Sequence, residues 1–156
     1  MKLMRPLSFF LMVGLALVAY RGIAHAEWMN GEGQVVYVQH RSDEFELRDG
    51  HKGLRVHDKG VLTSRQPEVP FHMSTQECLG TTVVSADGAI VSSGGYCDGI
   101  DRDGDVWLVS WYDGYWTFLG GTGKYERIKG GGTRRQGPRM ADGKSVTLWE
   151  GEWSME

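Results

Sequence analysis

Apolar and polar residues alternate in short stretches along most of the chain after residue 26. A period of two is typical of strands that bury one face, and apolar residues at helical spacing over ten or more residues do not occur in this part. About nine strand candidates follow one another with short connections. We therefore expect an all-β protein, a single antiparallel up-and-down β-barrel of about eight strands, because closing such a meander removes its exposed edges.

Six Asp-Gly dipeptides separate the strand candidates. Asp-Gly suits a two-residue hairpin turn because both central residues need positive φ. A hairpin centred on Asp113-Gly114 predicts these facing pairs: Tyr112–Tyr115, Trp111–Trp116, Val109–Phe118 and Trp107–Gly120. One face of this hairpin is strongly apolar, and we expect it to point into the barrel and to be the surface that contacts a ligand: Trp107, Val109, Trp111, Trp116 and Phe118.

A second hairpin, centred on Asp87-Gly88, brings the only two cysteines together. Counting outward from this turn predicts that Val84 faces Val91, Thr82 faces Ser93, and Cys78 faces Cys97. Facing residues on neighbouring strands lie close enough for a disulfide bond. The sequence therefore predicts a Cys78–Cys97 disulfide, the alternative being two buried free thiols.

The remaining strand boundaries are less sharply marked. Upstream of these hairpins, four short strands are predicted over 34–40, 44–48, 54–57 and 61–64. Downstream, a turn at Asp142-Gly143 introduces a C-terminal strand over 145–153.

The first 26 residues have the three parts of a secretory signal peptide. Lys2 and Arg5 precede an apolar run over 7–20, and Ala24-His25-Ala26 is a small-x-small cleavage site. The run is shorter than the roughly 20 residues that span a bilayer, so no stable membrane anchor is expected after cleavage. We expect one β-barrel domain over 27–156, exported to the periplasm or the medium.

The charge of the chain argues against nucleic acid as a partner. The predicted signal peptide contains three basic residues and no acidic one, which leaves 14 basic and 20 acidic residues and a net charge of −6 in the rest. An acidic chain without a long basic run does not favour phosphate backbones. The small basic cluster of Arg134, Arg135 and Arg139 is interpreted as a solvated loop.

The stretch WTFLGGTGKYERIKGGGT, over 116–133, contains six glycines and one Gly-Lys pair. A Walker phosphate loop requires Ser or Thr after Gly-Lys, but Tyr125 follows Lys124. No room remains for the helix that must follow such a loop, so neither nucleotide binding nor any other cofactor is expected. The glycines are interpreted as shaping the backbone: a turn over 120–123, then Tyr125 and Ile128 plugging the core, then a kinked strand.

The same residues carry a family resemblance. GGTGKY over 120–125, Ile128 and GGGT over 130–133, preceded by CDGIDRDGDVWLVSW over 97–111, resemble the pattern of the allene oxide cyclase and dirigent superfamily and its bacterial exported relatives. The likeness covers about 78–133. It implies an eight-stranded antiparallel barrel, often trimeric, with a small apolar cavity.

No set of reactive residues stands out. The four aspartates of 98–105 lack the spacing of an EF-hand and are interpreted as a turn. The histidines have no recognised ligand spacing, so no metal site is predicted. There is no Gly-x-Ser-x-Gly motif, and none of the glutamates that such a cyclase would need is distinguished, so the catalytic residues stay unknown.

Three functions remain open from the sequence. The favoured one is an exported barrel without catalytic machinery that binds a small hydrophobic molecule. The enzymatic alternative is a cyclase or isomerase of the allene oxide cyclase type, which folds an unsaturated lipid-like or terpenoid substrate. The third is a non-catalytic structural or interaction protein, and a homotrimer is the assembly that the resemblance implies.

Overall fold

The computed structural model describes residues 27–142 and 144–155, and the predicted signal peptide lies outside them. The eight strands are β1 (Trp28–Glu46), β2 (Lys52–Ser64), β3 (Ser74–Val84), β4 (Ile90–Ile100), β5 (Val106–Tyr112), β6 (Tyr115–Gly121), β7 (Lys129–Arg139) and β8 (Ser145–Ser154). Short 3₁₀ turns lie at Arg48–Gly50 and Gly123–Tyr125. No helix within the described ranges is long and apolar enough to cross a membrane.

Each strand pairs antiparallel with the next, and β8 pairs with β1, so the sheet closes into a barrel. The predicted fold class is confirmed. Closure gives every strand two paired neighbours over at least part of its length, which leaves little exposed edge to protect.

The four short strands predicted upstream are in fact two long ones, β1 and β2. β8 pairs with β1 only as far as Tyr37. The rest of β1 pairs with β2 alone. Residues of β1 beyond Val38 are mostly exposed on both faces, so they have no hydrophobic alternation to mark them as strand. Backbone pairing with β2 holds them instead.

The hairpin at Asp113-Gly114 forms as predicted over most of its length. Both turn residues have positive φ, 43° and 89°. The predicted pairing is confirmed from Tyr112–Tyr115 to Val109–Phe118, but Trp107 faces Gly121 rather than Gly120. Leu119 is an extra residue beside Gly120, whose φ of 114° suits glycine, and the resulting bulge shifts the register by one.

The hairpin at Asp87-Gly88 differs from the prediction near its tip and agrees with it below. The backbone N–H of Gly88 donates to the Ser85 carbonyl, and only Gly88 of the dipeptide has positive φ. Val84 faces Ile90 rather than Val91, and a bulge there restores the predicted register. Cys78 therefore faces Cys97, and the predicted disulfide is confirmed with Cα atoms 4.1 Å apart.

Every tryptophan that points into the barrel lies over a glycine of another strand, either the adjacent one or the next one along the sheet. A Cβ built on Gly80 would stand 2.5 Å from the Trp111 ring, and one built on Gly99 would overlap the Trp107 ring. The same relation holds for three further pairs: Trp116 with Gly151, Trp149 with Gly33, and Trp153 with Gly31. Glycine thus makes room in the sheet for rings that would otherwise overfill the barrel.

Replacing Gly99 by alanine is expected to lower the free energy of unfolding by about 2 kcal/mol, the usual cost of overpacking. Trp107 cannot yield easily, because it is buried and its Nε1–H donates to Ser74 Oγ at 3.2 Å. Chemical denaturation of Gly99→Ala, Trp107→Leu and the double variant measures the coupling free energy between the two positions. The smaller leucine should accommodate the added methyl group, and strictly additive costs would show that the ring and the glycine do not compete for space.

One end of the barrel is closed by the loop over 65–73 and by the turn at Gly123–Tyr125. The loop inserts Phe71, 3% exposed, whose ring contacts four others: Trp107, Phe118, Trp149 and Trp153. Tyr125 and Ile128 are buried, as predicted for a plug.

A buried carboxylate ties this plug to the sheet. The side chain of Asp101 is fully buried and accepts hydrogen bonds from Tyr125 Oη at 2.9 Å and from the backbone N–H groups of Asp103 and Asp105. Lys124 Nζ lies 2.6 Å from the same carboxylate. The aspartate-rich segment is therefore a structural turn, with one of its members as the centre of a hydrogen-bond network.

Candidate functional site

An apolar cavity of about 60 Å³ lies inside the barrel. Fourteen described residues line it: Val35, Tyr37, Leu62, Phe71, Gln76, Cys97, Trp107, Val109, Trp111, Trp116, Phe118, Arg134, Thr147 and Trp149. Twelve of these are buried, and only Trp116 and Arg134 are half-buried. These two therefore mark the side on which the cavity meets solvent.

The structure brings all five sequence-predicted site residues to this cavity, on β5 and β6. Their contact with a ligand remains a prediction. The rings meet at angles that suit aromatic packing; Trp116 and Phe118, for example, lie 5.2 Å apart at 88°. The predicted disulfide also borders the cavity through Cys97.

Sequence reasoning missed the polar part of the wall. Arg134 was interpreted as part of a solvated loop, but it lies on strand β7 and lines the cavity. Alternation along β7 was hard to see because the positions before Arg134 on the same face are Gly130 and Gly132, which have no side chain to reveal it.

Arg134 is held in place by an aromatic ring. Its guanidinium carbon lies 3.8 Å from the centre of the Trp111 ring, a favourable cation–π geometry. Burial lowers the pKa of Arg134 while Tyr37 and Asp58 act in the opposite direction, and the group remains a cation at neutral pH. Within 27–142 and 144–155, no hydrogen bond or ion pair engages this guanidinium.

A small network surrounds the disulfide on the opposite wall. Gln76 Nε2 donates to Tyr37 Oη at 3.1 Å and to Cys78 Sγ at 2.9 Å. Burial raises the pKa of Tyr37 to about 12, with Asp58 adding to the effect, so the phenol keeps its proton over the whole physiological range. Tyr37 is therefore a neutral hydrogen-bonding group in the wall.

Two tryptophans of the cavity wall carry unpaired N–H groups. Trp111 Nε1 and Trp149 Nε1 are buried and have no hydrogen-bond partner in the described part of the chain. A buried N–H without an acceptor is costly, by about 1–3 kcal/mol. Both residues line the cavity, and their N–H groups lack an acceptor among the described residues.

No aspartate or glutamate is among the described residues that line the cavity. The charge of the Asp58 carboxylate acts on Tyr37 and Arg134. Asp58 Oδ1 is itself hydrogen-bonded to His40 Nδ1. Asp101 belongs to the closed end and is fully engaged there. The described residues also contain no group of three or more His, Cys, Asp or Glu that could hold a metal ion.

The outer face of strands β3 to β6 is also apolar. Leu79, Tyr96, Tyr112 and Tyr115 are exposed there, around a groove of about 690 Å³ whose floor includes Gly80, Gly94 and Gly95. Exposed apolar surface of this kind marks contact sites more often than chance placement does.

The barrel is similar in fold to solved structures of dirigent proteins. The pterocarpan synthase dirigent protein PsPTS1 aligns over 83% of this chain and 96% of its own, with a TM-score of 0.51 and 10% identity. The pterocarpan synthase dirigent protein GePTS1 aligns over 96% of this chain and 100% of its own, with a TM-score of 0.54 and 10% identity. Neither a protein-family model nor a curated protein sequence matches the chain.

The fold is thus a dirigent-like barrel, the architecture that the resemblance in the glycine and aromatic pattern implied. At 10% identity this likeness concerns the architecture alone. The function has to be argued from the cavity of this chain.

Proposed function

We propose that the protein binds a small, largely apolar molecule inside the barrel. The observation that carries this proposal is the cavity of about 60 Å³ with aromatic and aliphatic walls, which borders solvent at Trp116 and Arg134. Apolar space that water fills poorly favours an apolar occupant. The likeness to dirigent barrels, which include proteins described as pterocarpan synthases, supports a ligand-binding or substrate-directing role.

The size of the cavity limits what it holds. A protein cavity of about 150 Å³ holds benzene. By proportion, the cavity of about 60 Å³ has room for a tail of about two to three carbon atoms, and the rest of a longer molecule would pass Trp116 and Arg134 toward solvent. Each buried methylene contributes about 0.8 kcal/mol, or about fourfold in affinity.

A cyclase or isomerase of the allene oxide cyclase type is less well supported. Such chemistry was expected to need a buried acidic group near the substrate, and no described lining residue is a carboxylic acid. Tyr37 stays protonated and Arg134 stays charged, so both are suited to binding rather than to moving a proton.

An interaction role is a second candidate, favoured by the exposed apolar groove on β3 to β6. We propose further copies of this chain as its occupants, in the homotrimer that the family resemblance implies. Tyr115 stands at the rim of this groove and is well exposed. Sedimentation velocity should show a trimer that Tyr115→Lys dissociates, and a monomeric wild-type protein would contradict this candidate.

Titration with 1-propanol, 1-butanol and 1-hexanol tests the binding proposal, with tryptophan fluorescence as the signal. Val109→Phe fills the cavity from inside and should abolish binding. Leu108→Phe adds the same ring to the exposed face of the same strand and should leave binding unchanged.

Near-ultraviolet circular dichroism shows whether each variant keeps its packed rings. If Val109→Phe does not fold, Val109→Leu offers a milder filling and should weaken binding of the longer alcohols first. Equal binding by Val109→Phe and Leu108→Phe would place the alcohols outside the barrel and contradict the proposal.

A further inference from the structure

We propose that the natural ligand of this cavity is an amphipathic anion, a carboxylic acid with a short or branched apolar tail, whose carboxylate pairs with Arg134. This inference rests on the proposed binding function and adds to it the charge of the ligand. It follows from what surrounds Arg134 and from what the cavity wall leaves unpaired.

Arg134 is a cation placed beside apolar walls, and no residue of 27–142 or 144–155 forms an ion pair with it. Half-burying a charge removes part of its hydration, and proteins normally compensate by pairing it. Among the described residues, the guanidinium contacts the face of the Trp111 ring, whose centre lies 3.8 Å from its carbon. Its five N–H groups, directed along the plane of the fork, are left for an acceptor.

The one carboxylate that influences Arg134 is already engaged. Asp58 acts on Arg134 through its charge, but the two are not within ion-pair distance in the described structure. Asp58 is bonded instead by His40, which faces it across β1 and β2. Arg134 therefore keeps its capacity to bind an anion that arrives from solvent.

The other unpaired donors point to the same ligand chemistry. Trp111 and Trp149 both line the cavity, and their buried indole N–H groups have no acceptor in the described residues. A carboxylate has two oxygens and about four acceptor sites, and it matches the planar fork of arginine in a bidentate pair. A neutral alkane or terpene would leave all these donors unpaired.

The tail follows from the rest of the wall. Apart from Arg134, Tyr37, Gln76 and Thr147, the lining is apolar, with aliphatic members such as Val35, Leu62 and Val109. A carboxylate at Arg134 leaves room for about two to three further carbons in the cavity. Butanoate and its branched relatives fit this description, and longer acids would extend past the mouth.

The test compares acids with alcohols of equal length at neutral pH. Acetate, butanoate and hexanoate are titrated by calorimetry against ethanol, 1-butanol and 1-hexanol, first on the wild-type protein. A charge-assisted bidentate pair should make each acid bind about tenfold more tightly than its alcohol. Affinity should rise from acetate to butanoate and flatten by hexanoate.

Arg134→Gln should reduce the preference for acids to about onefold while alcohol binding remains. Arg135→Gln removes the same charge from the neighbouring, exposed position on β7 and should keep the wild-type preference. Arg134→Lys keeps the charge without the fork and should retain a smaller preference, which also serves if the glutamine variant does not fold.

Equal binding of acids and alcohols by the wild-type protein would overturn the inference and leave the proposed binding function standing. A preference for acids that persists in Arg134→Gln would overturn it as well, because the anion would then be held elsewhere. If neither series binds to the wild-type protein, both the inference and the proposed function fail.

Discussion

Replacing Phe71 by alanine should lower the free energy of unfolding by about 4 kcal/mol, the range for deleting a buried phenylalanine ring. Phe71 is 3% exposed and contacts four aromatic rings from three different strands, β5, β6 and β8. Its removal leaves a void that these rings cannot fill without moving the strands that carry them. Urea denaturation followed by tryptophan fluorescence measures the change.

Phe45→Ala is the matched control for this experiment. Phe45 lies on the exposed part of β1, is 41% exposed, and packs over Gly53 on β2. The same deletion there should cost less than about 1 kcal/mol, since little apolar area is lost from the interior. Similar costs at both positions would mean that the loop over 65–73 does not close the core of the barrel.

Replacing Asp101 by asparagine should cost about 3 kcal/mol, the lower end of the range for breaking a buried charged network. The variant keeps the size of the side chain but leaves Lys124 Nζ and Tyr125 Oη without the carboxylate that both contact. Asp103→Asn is the control, because Asp103 bonds the same lysine at 2.6 Å but is well exposed. Its cost should fall within about 1 kcal/mol, as for surface ion pairs.

The free energy of unfolding should also depend on pH through the ionisation of Asp101. Burial alone would raise the pKa of Asp101, but Lys124, Tyr125 and two backbone N–H groups outweigh it, so the pKa is lowered overall. A carboxyl whose folded pKa is depressed adds stability above its unfolded value and loses it as pH falls. The wild-type protein should therefore lose stability below about pH 4, and Asp101→Asn should lose less over that interval. Parallel curves for the two proteins would contradict the assignment.

The barrel could be predicted from sequence because its turns and its core residues signal the same register. Asp113-Gly114 fixes the pairing of β5 and β6, and the pairing of β3 and β4 brings Cys78 opposite Cys97. The bulges at Val91 and Leu119 were not predictable in the same way. A bulge shifts the phase of the alternation, but the residues that follow Leu119 are Gly120 and Gly121, which have no side chains to show the shift.

The full length of strands β1 and β2, which the sequence divides into four shorter strands, was not predicted for a different reason. Beyond Val38 the side chains of β1 are polar or exposed on both faces, as in a strand with no core beneath it. Its extended conformation depends on pairing with β2 and on contacts between the two strands, such as that of Lys52 with Glu44. Single-segment patterns do not contain this information.

The apolar half of the candidate site was predictable, and the polar half was not. Five lining residues come from one hairpin, so a single alternating pattern shows them together. Tyr37, Gln76 and Arg134 come from strands β1, β3 and β7 and meet only when the barrel closes. Arg134 in particular follows glycines, and only the pairing of β7 with β8 shows which way it points.

We expect the ligand to bind inside the barrel, beside Arg134. The most direct measurement is a titration of ¹⁵N-labelled protein with butanoate, following the indole N–H signals of the tryptophans. Trp111 and Trp149 line the cavity, and their indole N–H groups have no partner among the described residues. Their signals should move with increasing butanoate, while the signal of the exposed Trp28 should stay in place. Unchanged signals from Trp111 and Trp149, with movement at Trp28 or nowhere, would contradict binding inside the barrel.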